Sequence, residues 1–214
     1  MNAGPSTNLQ DAILPHADKN LLIAKALGCV RGDKLLFKDL NFRLEAGQAG
    51  LLTGPNGVGK SSLLRLIANL LIPVSGSIQA TESIALCDDH LALDENLSLE
   101  NALLFWAQLD GKQEDDCHQA MAAAGLDHLA EVPVRYFSTG QRQRARLART
   151  FLSKATLWLL DEPANGLDAA SVESLGLALQ AHLDGGGMIL AASHIPLPIA
   201  FDINLQLQPP GLQT

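Results

Sequence analysis

The 214-residue sequence predicts an α/β fold with a central, mainly parallel sheet. Three observations lead to this prediction: segments with helical periodicity alternate with short apolar runs, one run leads into a glycine-rich loop, and two later runs end in polar or charged side chains. Continuous apolar runs that alternate with helices are typical of parallel strands covered on both faces. Because ligands bind at the carboxyl ends of such strands, we expect the functional residues there.

A glycine-rich loop at residues 54–61 has the spacing of a phosphate cradle. It follows the apolar run Ala49–Thr53, which predicts a buried strand, and precedes residues 62–71, which have helical periodicity. The glycines could serve only to cap the helix, but in this context they allow backbone N–H groups to converge on an anion. We expect Lys60 to reach the β- and γ-phosphates of ATP and Ser61 to bind Mg²⁺. The predicted nucleotide contacts in and beside this loop are Gly54, Pro55, Asn56, Gly57, Val58, Gly59, Lys60, Ser61 and Ser62.

We expect a single domain at residues 20–208, between a mobile tail at residues 1–19 and a short tail at residues 209–214. The first tail is polar, contains proline, and lacks the charged start and apolar middle of a signal peptide. No window approaches the roughly 18 uninterrupted apolar residues that a membrane span needs. The chain is therefore expected in the cytoplasm, unless a partner holds it at a membrane.

The remaining segments predict a β-rich start and a helical insertion. A strand at residues 21–27, a turn at residues 31–33 and an alternating strand near residues 40–44 precede the glycine-rich loop. Residues 89–134 are richer in alanine, acids and helical periodicity, and we expect a helical lobe there, with Trp106 in its core. The apolar face of its first helix is predicted to comprise Leu99, Ala102, Leu103, Trp106 and Leu109.

Two apolar runs in the second half of the chain end in side chains suited to phosphate chemistry. One run precedes Asp161 and Glu162, and the other ends in Ser193 and His194. Because the carboxyl ends of parallel strands share an edge, we expect these residues to meet the glycine-rich loop. Asp161 would hold Mg²⁺ through water, Glu162 would polarise an attacking water, and His194 would donate a hydrogen bond to the γ-phosphate. The alternatives are an acid pair that caps the N-terminus of a helix and a histidine whose hydrogen bonds are satisfied at a helix start.

Composition argues against two classes of function. The formal charge of −8 at pH 7 disfavours broad binding of nucleic acid, which depends on lysine and arginine to neutralise phosphates. The three cysteines, Cys29, Cys87 and Cys117, form no CxxC pair, so neither a disulfide framework nor a zinc site is indicated. We therefore expect no nucleic-acid partner.

Five motifs in this order resemble the nucleotide-binding subunits of ATP-binding cassette (ABC) transporters: GPNGVGKS, FSTGQRQR, WLLDEP, NGLD and SH. The resemblance covers most of the chain and implies the ABC form of the P-loop NTPase fold, with an N-terminal antiparallel β part and an inserted helical lobe. It also implies that two copies enclose ATP head to tail. Ser138, Thr139, Gly140 and Gln141 of one copy would then cover the γ-phosphate held by the other, and Asp168 would lie in the loop that crosses the seam.

The sequence departs from the family pattern at three positions. Thr139 stands where the family commonly has glycine. Where an aromatic residue usually stacks on adenine, Arg31 is available and could stack through its guanidinium plane. In place of the glutamine that links the metal to the membrane partner, the chain has Cys87-Asp88-Asp89, and Asp89 is the expected Mg²⁺ contact.

Within the family, the chain most resembles ATPase subunits of haem exporters in cytochrome c maturation. LSLENALLFWAQL, SKATLWLLDEP and ASHIPLPI carry this closer likeness. It implies integral membrane partner subunits and a peripheral position on the cytoplasmic face of the inner membrane. An exporter ATPase for another substrate is the alternative. Chromosome-structure and DNA-repair ATPases share the motifs, but their coiled-coil or zinc-bearing insertion does not fit in residues 88–134.

Overall fold

The computed structural model describes residues 21–208, so the tails expected at residues 1–19 and 209–214 lie outside the described residues. Within that range the chain forms eight strands and five α-helices. The strands are β1 (Leu21–Arg31), β2 (Lys34–Glu45), β3 (Ala49–Thr53), β4 (Ser75–Gln79), β5 (Ile84–Cys87), β6 (Leu157–Asp161), β7 (Met188–Ala192) and β8 (Ile203–Gln206). The helices are α1 (Lys60–Ile67), α2 (Leu99–Leu109), α3 (Glu114–Ala123), α4 (Thr139–Leu152) and α5 (Ala169–Asp184).

These strands form the two predicted sheets. An antiparallel sheet has the order β2-β1-β4, and a five-stranded sheet has the order β5-β6-β7-β3-β8. Every pair of neighbours in the second sheet is parallel. The predicted combination of a parallel sheet, an antiparallel β part and inserted helices is therefore confirmed.

The parallel sheet is buried on both faces, which explains its continuous apolar strands. Leu157 and Leu159 of β6 belong to one hydrophobic core, which also contains the buried face of α1. Trp158 and Leu160 point the other way, into the core that α5 covers with Leu175 and Leu179. Consecutive side chains of a strand point to opposite faces of the sheet, so the two cores together determine which side chains of β6 face each layer of helices.

Three predicted elements had wrong boundaries. The second strand, expected near residues 40–44, already begins at Lys34. The first strand was expected to stop at Leu27 but continues to Arg31. It contains register shifts, and Ala26 has a φ of +48°, so the two-residue alternation that marks a strand is broken. Helix α1 was expected at residues 62–71 but begins at Lys60 and ends at Ile67, after which Asn69 has a φ of +57°.

Helices α2, α3 and α4 share a separate hydrophobic core. Helix α3 ends at Ala123, and Gly125, with a φ of +64°, follows the C-cap residue Ala124 in the left-handed conformation that commonly terminates a helix. The predicted apolar face of α2 was wrong at Leu109, which is 65% exposed. Trp106 lies at the edge of this core, where its Nε1 donates a hydrogen bond to the carbonyl of Ala92 at 2.9 Å. No helix within residues 21–208 has both the length and the apolar character needed to span a bilayer.

His182 of α5 stacks on Trp158 of β6, with the ring centroids 3.8 Å apart and the rings 7° from parallel. Its Nε2 lies 3.3 Å from the carbonyl oxygen of Met188. Burial lowers the pKa of His182, and the hydrogen bonds to the backbone of Met188 and Thr156 oppose that effect only in part. The fold therefore favours the neutral imidazole.

We expect this histidine to make the fold sensitive to acid. As the pH falls below about 6.5, the ordinary pKa of histidine, the unfolded chain binds a proton that the folded chain resists, so stability is lost until the pH passes the lowered folded pKa. His182→Phe keeps an aromatic ring on Trp158 but cannot titrate. Thermal unfolding between pH 7.5 and 5 should show a smaller loss of Tm in His182→Phe than in the wild type. Equal losses would mean that His182 does not contribute to acid sensitivity.

Candidate phosphate-binding site

The glycine-rich loop connects β3 to α1, and its shape depends on glycine at two positions. Gly54 has a φ of +135°, and a Cβ there would clash with the carbonyl of Leu207. Gly59, with a φ of +117°, immediately precedes the first residue of α1. Both φ values lie in a region that L side chains rarely adopt. The free N–H groups at the start of α1 thus open toward the carboxyl edge of the sheet.

Lys60 is buried and holds its ammonium group inside this loop. The Nζ atom donates hydrogen bonds to the carbonyl oxygens of Gly54, at 2.8 Å, and Pro55, at 3.4 Å. It also lies 3.0 Å from Nε2 of His194. These partners are carbonyl oxygens and an imidazole, so none of them neutralises the positive charge. A phosphate oxygen would do so.

Ser61 and Asp161 form the pair that could hold a metal ion. Burial raises the pKa of the Asp161 carboxyl; the hydrogen bond from Ser61 opposes this, and the neighbouring charge of Glu162 adds to it. A hydroxyl and a carboxylate are hard oxygen ligands of the kind that Mg²⁺ prefers. A divalent cation between them would stabilise the ionised form of Asp161. These donors therefore fit Mg²⁺.

Glu162 and His194 meet across the ends of β6 and β7. Oε2 of Glu162 accepts a hydrogen bond from the backbone N–H of His194 at 3.1 Å, and Oε1 lies 3.5 Å from Nε2 of the same residue. Nε2 of His194 is also 3.0 Å from Oδ1 of Asn56 in the glycine-rich loop. Glu162 has a φ of +50°, a conformation that costs a non-glycine residue about 1–3 kcal/mol. The surroundings therefore hold the backbone of Glu162 in this conformation, and the contacts with His194 orient its carboxylate.

Lys60, Ser61, Asp161 and Glu162 border a cleft of about 430 Å³. His194 is not on its wall but contacts two wall residues, Lys60 and Asn56. The walls of the cleft are formed by Arg31, Leu36, Asn56, Gly57, Gly59, Lys60, Ser61, Ser62, Asp161 and Glu162. The structure thus brings together the glycine-rich loop, the acid pair and Arg31. Leu36 was missed by the sequence analysis, because only the pairing of β1 with β2 brings it beside the loop.

The motif at residues 138–141 lies outside this cleft. Ser138 caps α4: its Oγ accepts a hydrogen bond from the N–H of Gln141 at 3.3 Å, and its own N–H donates to Oε1 of Gln141 at 2.8 Å. Ser138 and Thr139 are exposed. Gly140 lies against the loop after β6, where a Cβ would be 3.1 Å from the carbonyl oxygen of Gly166.

Asp168 also lies away from the cleft residues. It is the N-cap of α5, and its Oδ1 accepts a hydrogen bond from the N–H of Ser171 at 2.8 Å. That hydrogen bond lowers the pKa of the Asp168 carboxyl. Asp168, like Ser138 and Thr139, is thus an exposed residue at the start of a helix.

Asp89, the expected Mg²⁺ contact, lies in an ion-pair cluster at the end of β5. The carboxylate of Asp89 is 79% exposed and pairs with Nη2 of Arg65 at 3.0 Å and Nδ1 of His90 at 3.1 Å, and Asp89 does not border the cleft. Arg65 also pairs with the buried Asp88 at 3.0 Å. Burial would raise the pKa of Asp88, but hydrogen bonds from His90 and Arg65 lower it. No local sequence pattern signals these ion pairs, because they join a side chain of α1 to residues that follow β5.

Comparisons with known proteins identify a family and several relatives. A family model described as ABC transporter matches residues 37–165. The chain is 53% identical over 182 residues to the cytochrome c biogenesis ATP-binding export protein CcmA of Zymomonas mobilis, covering 85% of this chain and 82% of that protein. It is 49% identical over 180 residues to the CcmA protein of Novosphingobium aromaticivorans, covering 83% of this chain and 91% of the relative.

Solved structures show the same fold. The chain matches an ATP-binding subunit of an ABC transporter with a TM-score of 0.75 and 26% identity, covering 82% of this chain and 80% of that chain. A second match, a putative ABC transporter ATP-binding protein from Pyrococcus furiosus, has a TM-score of 0.76 and 25% identity and covers 88% and 98% of the two chains. The family model spans more than half of the sequence. Together with the relatives, it establishes that this chain belongs to the ABC transporter family and is an ATPase of the ATP-binding subunit type.

Proposed function

We propose that the chain is the ATP-hydrolysing subunit of an export complex in c-type cytochrome biogenesis, where it powers haem export or the release of a haem-loaded chaperone. The observation that carries the ATPase part is the convergence of Lys60, Asp161, Glu162 and His194 at one edge of the sheet. The biogenesis part is supported by relatives that are 40–53% identical over most of the chain and are named for that process.

In this proposal the β- and γ-phosphates of ATP lie over residues 54–59. The N–H groups of the loop and of the first turn of α1 donate to phosphate oxygens, and the Lys60 ammonium exchanges its carbonyl partners for them. Arg31, on the wall of the same cleft, would stack on the adenine through its guanidinium plane. Ser61 and Asp161 would hold Mg²⁺, which neutralises charge on the phosphates when bound.

Glu162 is the residue proposed to activate water. Its carboxylate is held by the N–H of His194 and is one residue beyond the Asp161 carboxylate, on the cleft wall. A carboxylate there can accept a proton from a water that attacks the γ-phosphate. His194, close to both Lys60 and Glu162, would donate a hydrogen bond to the γ-phosphate as charge spreads over its oxygens.

A second copy of the chain completes the proposed site. Residues 138–141 begin α4, where free N–H groups and the positive end of the helix dipole favour an anion. They are too far from their own cleft to border it, so the phosphate that they would contact belongs to the other copy. Asp168 would lie near the seam between the copies.

The membrane subunits are proposed to dock in a second, larger cleft of about 640 Å³, bordered by the end of α1, β5, α2 and α4. Arg149 lies in this cleft with its guanidinium carbon 4.0 Å from the centre of the Trp106 ring. Its Nε is buried and has no hydrogen-bond partner among residues 21–208. Leu70, on the rim, is largely exposed. A partner segment could pair a carboxylate with the guanidinium of Arg149 and pack apolar side chains on Leu70, and it would hold the chain at the cytoplasmic face of the inner membrane.

The role of Glu162 can be tested by Glu162→Gln, with the exposed Glu173→Gln on α5 as the control. We expect Glu162→Gln to bind ATP with the wild-type Kd and to lower kcat by about 10² to 10⁴, the range for loss of a general base. Steady-state ATPase assays and equilibrium binding of ATP measure the two quantities. A Glu162→Gln variant with wild-type kcat would remove Glu162 from the mechanism.

The biological role can be tested by deleting the gene and measuring holocytochrome c. Plasmid-borne wild type and Glu173→Gln should restore holocytochrome c, whereas Glu162→Gln should not, because it cannot complete hydrolysis. Normal holocytochrome c in the deletion strain would contradict the cytochrome role while leaving the ATPase role intact. Accumulation of another substrate in that strain would favour an exporter of a different cargo.

The docking cleft can be tested with Arg149→Gln, matched with the exposed Arg43→Gln in the antiparallel sheet. Loss of the guanidinium should reduce co-purification of the membrane subunits by roughly tenfold or more, since a charge-assisted contact is worth about 1.5–3 kcal/mol. The Arg43 variant should co-purify normally. Full recovery of the membrane subunits with a folded Arg149→Gln protein would place the docking surface elsewhere.

A further inference from the structure

The side chain of Gln143 connects α4 to the backbone beside Glu162. Gln143 is buried, and its Nε2 donates hydrogen bonds to the carbonyl oxygens of Pro163, at 3.0 Å, and Glu162, at 3.4 Å. Nη1 of Arg146 donates to Oε1 of Gln143 at 2.8 Å. Because an arginine can only donate, the amide oxygen must face Arg146 and the amide N–H groups must face the two carbonyls.

Glu162 needs such contacts because of its backbone conformation. Its φ of +50° is unusual for a residue with a side chain and persists only where the surroundings hold it. The N–H of Glu162 donates to the carbonyl oxygen of Ala192 at 2.8 Å, and its own carbonyl also accepts from the N–H of Asn165 at 3.2 Å. The first of these hydrogen bonds comes from β7 and the second from the loop after β6. Gln143 adds a third, from α4.

A second contact ties the same helix to the same loop. Gly140, in the first turn of α4, approaches Gly166 so closely that a Cβ would lie 3.1 Å from its carbonyl oxygen. The first two turns of α4 therefore touch the segment that begins at Glu162 at two places. A displacement of the start of α4 would act directly on that segment, because packed elements move as units.

We propose that Gln143 is a positioning residue for Glu162, and that it transmits contact between residues 138–141 and the nucleotide of a second copy to the water-activating carboxylate of its own cleft. This inference rests on the proposed function, in which Glu162 activates water and residues 138–141 meet the other copy's ATP. One site of the dimer would thereby control catalysis at the other through a single buried amide.

The test is Gln143→Met in the full chain, because methionine has nearly the same length and packing but neither donates to the carbonyls nor accepts from Arg146. We expect kcat to fall by about 10- to 100-fold, the loss that a small misplacement of a catalytic group produces. The Kd for ATP should stay unchanged, and the Hill coefficient for ATP should approach one. The control is Gln180→Met on α5, an exposed glutamine whose side chain bonds only locally, to Asp184 at 2.8 Å.

A double variant distinguishes positioning from general packing. If Gln143 acts through Glu162, adding Gln143→Met to Glu162→Gln should not lower kcat further. If the loss of kcat in the double variant equals the product of the losses in the two single variants, the proposal is overturned. Wild-type kcat and cooperativity in Gln143→Met alone would also overturn it. Wild-type kcat in the Glu162→Gln single variant would instead refute the proposed role of Glu162, so the two failures are distinguishable.

A second variant, Gln143→Glu, keeps the proposal testable if Gln143→Met does not fold. Gln143→Glu keeps an oxygen for Arg146 but has no N–H to donate when ionised, and it should show the same loss of kcat. Thermal unfolding would accompany each assay. If neither variant folds, Gln143 has a structural role and the proposal is rejected, since a positioning residue must yield a folded protein with reduced kcat.

Discussion

The parallel register of β6, β7 and β3 is the constraint on which the site depends. Asp161 pairs with Ala192, and Ala192 pairs with Leu52, so the three strands end at the same level. Glu162, Ser193 and the glycine-rich loop follow these ends directly. Since consecutive side chains of β6 point into two different cores, a slip of one residue would exchange the cores and bury the acids. Hydrophobic packing thus determines where the charged groups meet.

The cleft brings the Lys60 ammonium and the Asp161 carboxyl together, but neither group has a partner of opposite charge within residues 21–208 that neutralises it. The Lys60 ammonium has carbonyl and imidazole partners, whereas Asp161 is a carboxyl whose ionisation is disfavoured by burial. A metal–triphosphate carries both signs and can satisfy both groups at once. His194 lies between the lysine and Glu162 and contacts each of them. The geometry therefore suits a ligand with separated positive and negative charge better than a simple anion.

Local patterns in the sequence predicted much of this arrangement. Strand β3 begins and ends where its apolar run does, and the shared edge follows from parallel topology. Contacts between distant elements could not be predicted. The ion pairs of Arg65 with Asp88 and Asp89 join α1 to the end of β5, and no local pattern indicated them. The metal role of Asp89 stays a prediction. Gln143 lies in an arginine-rich helix, where a glutamine is typical of a solvent-exposed position. No pattern in the sequence therefore indicated that it is buried.

Helix α4 contacts both the core that it shares with α2 and α3 and the loop after β6. These contacts limit how far the residues at the edge of the sheet can move. Its first turn is exposed at Ser138 and touches Gly166 through Gly140, while Ala145 and Ala148 lie in the core that it shares with α2 and α3. Small side chains at these positions allow close approach, so α4 has little room to shift within that core. Movement of the helical core and movement at the exposed turn must therefore occur together. Since the loop after β6 lies against the same helix, a partner that repositions the helical core also acts on the edge where Asp161 and Glu162 lie.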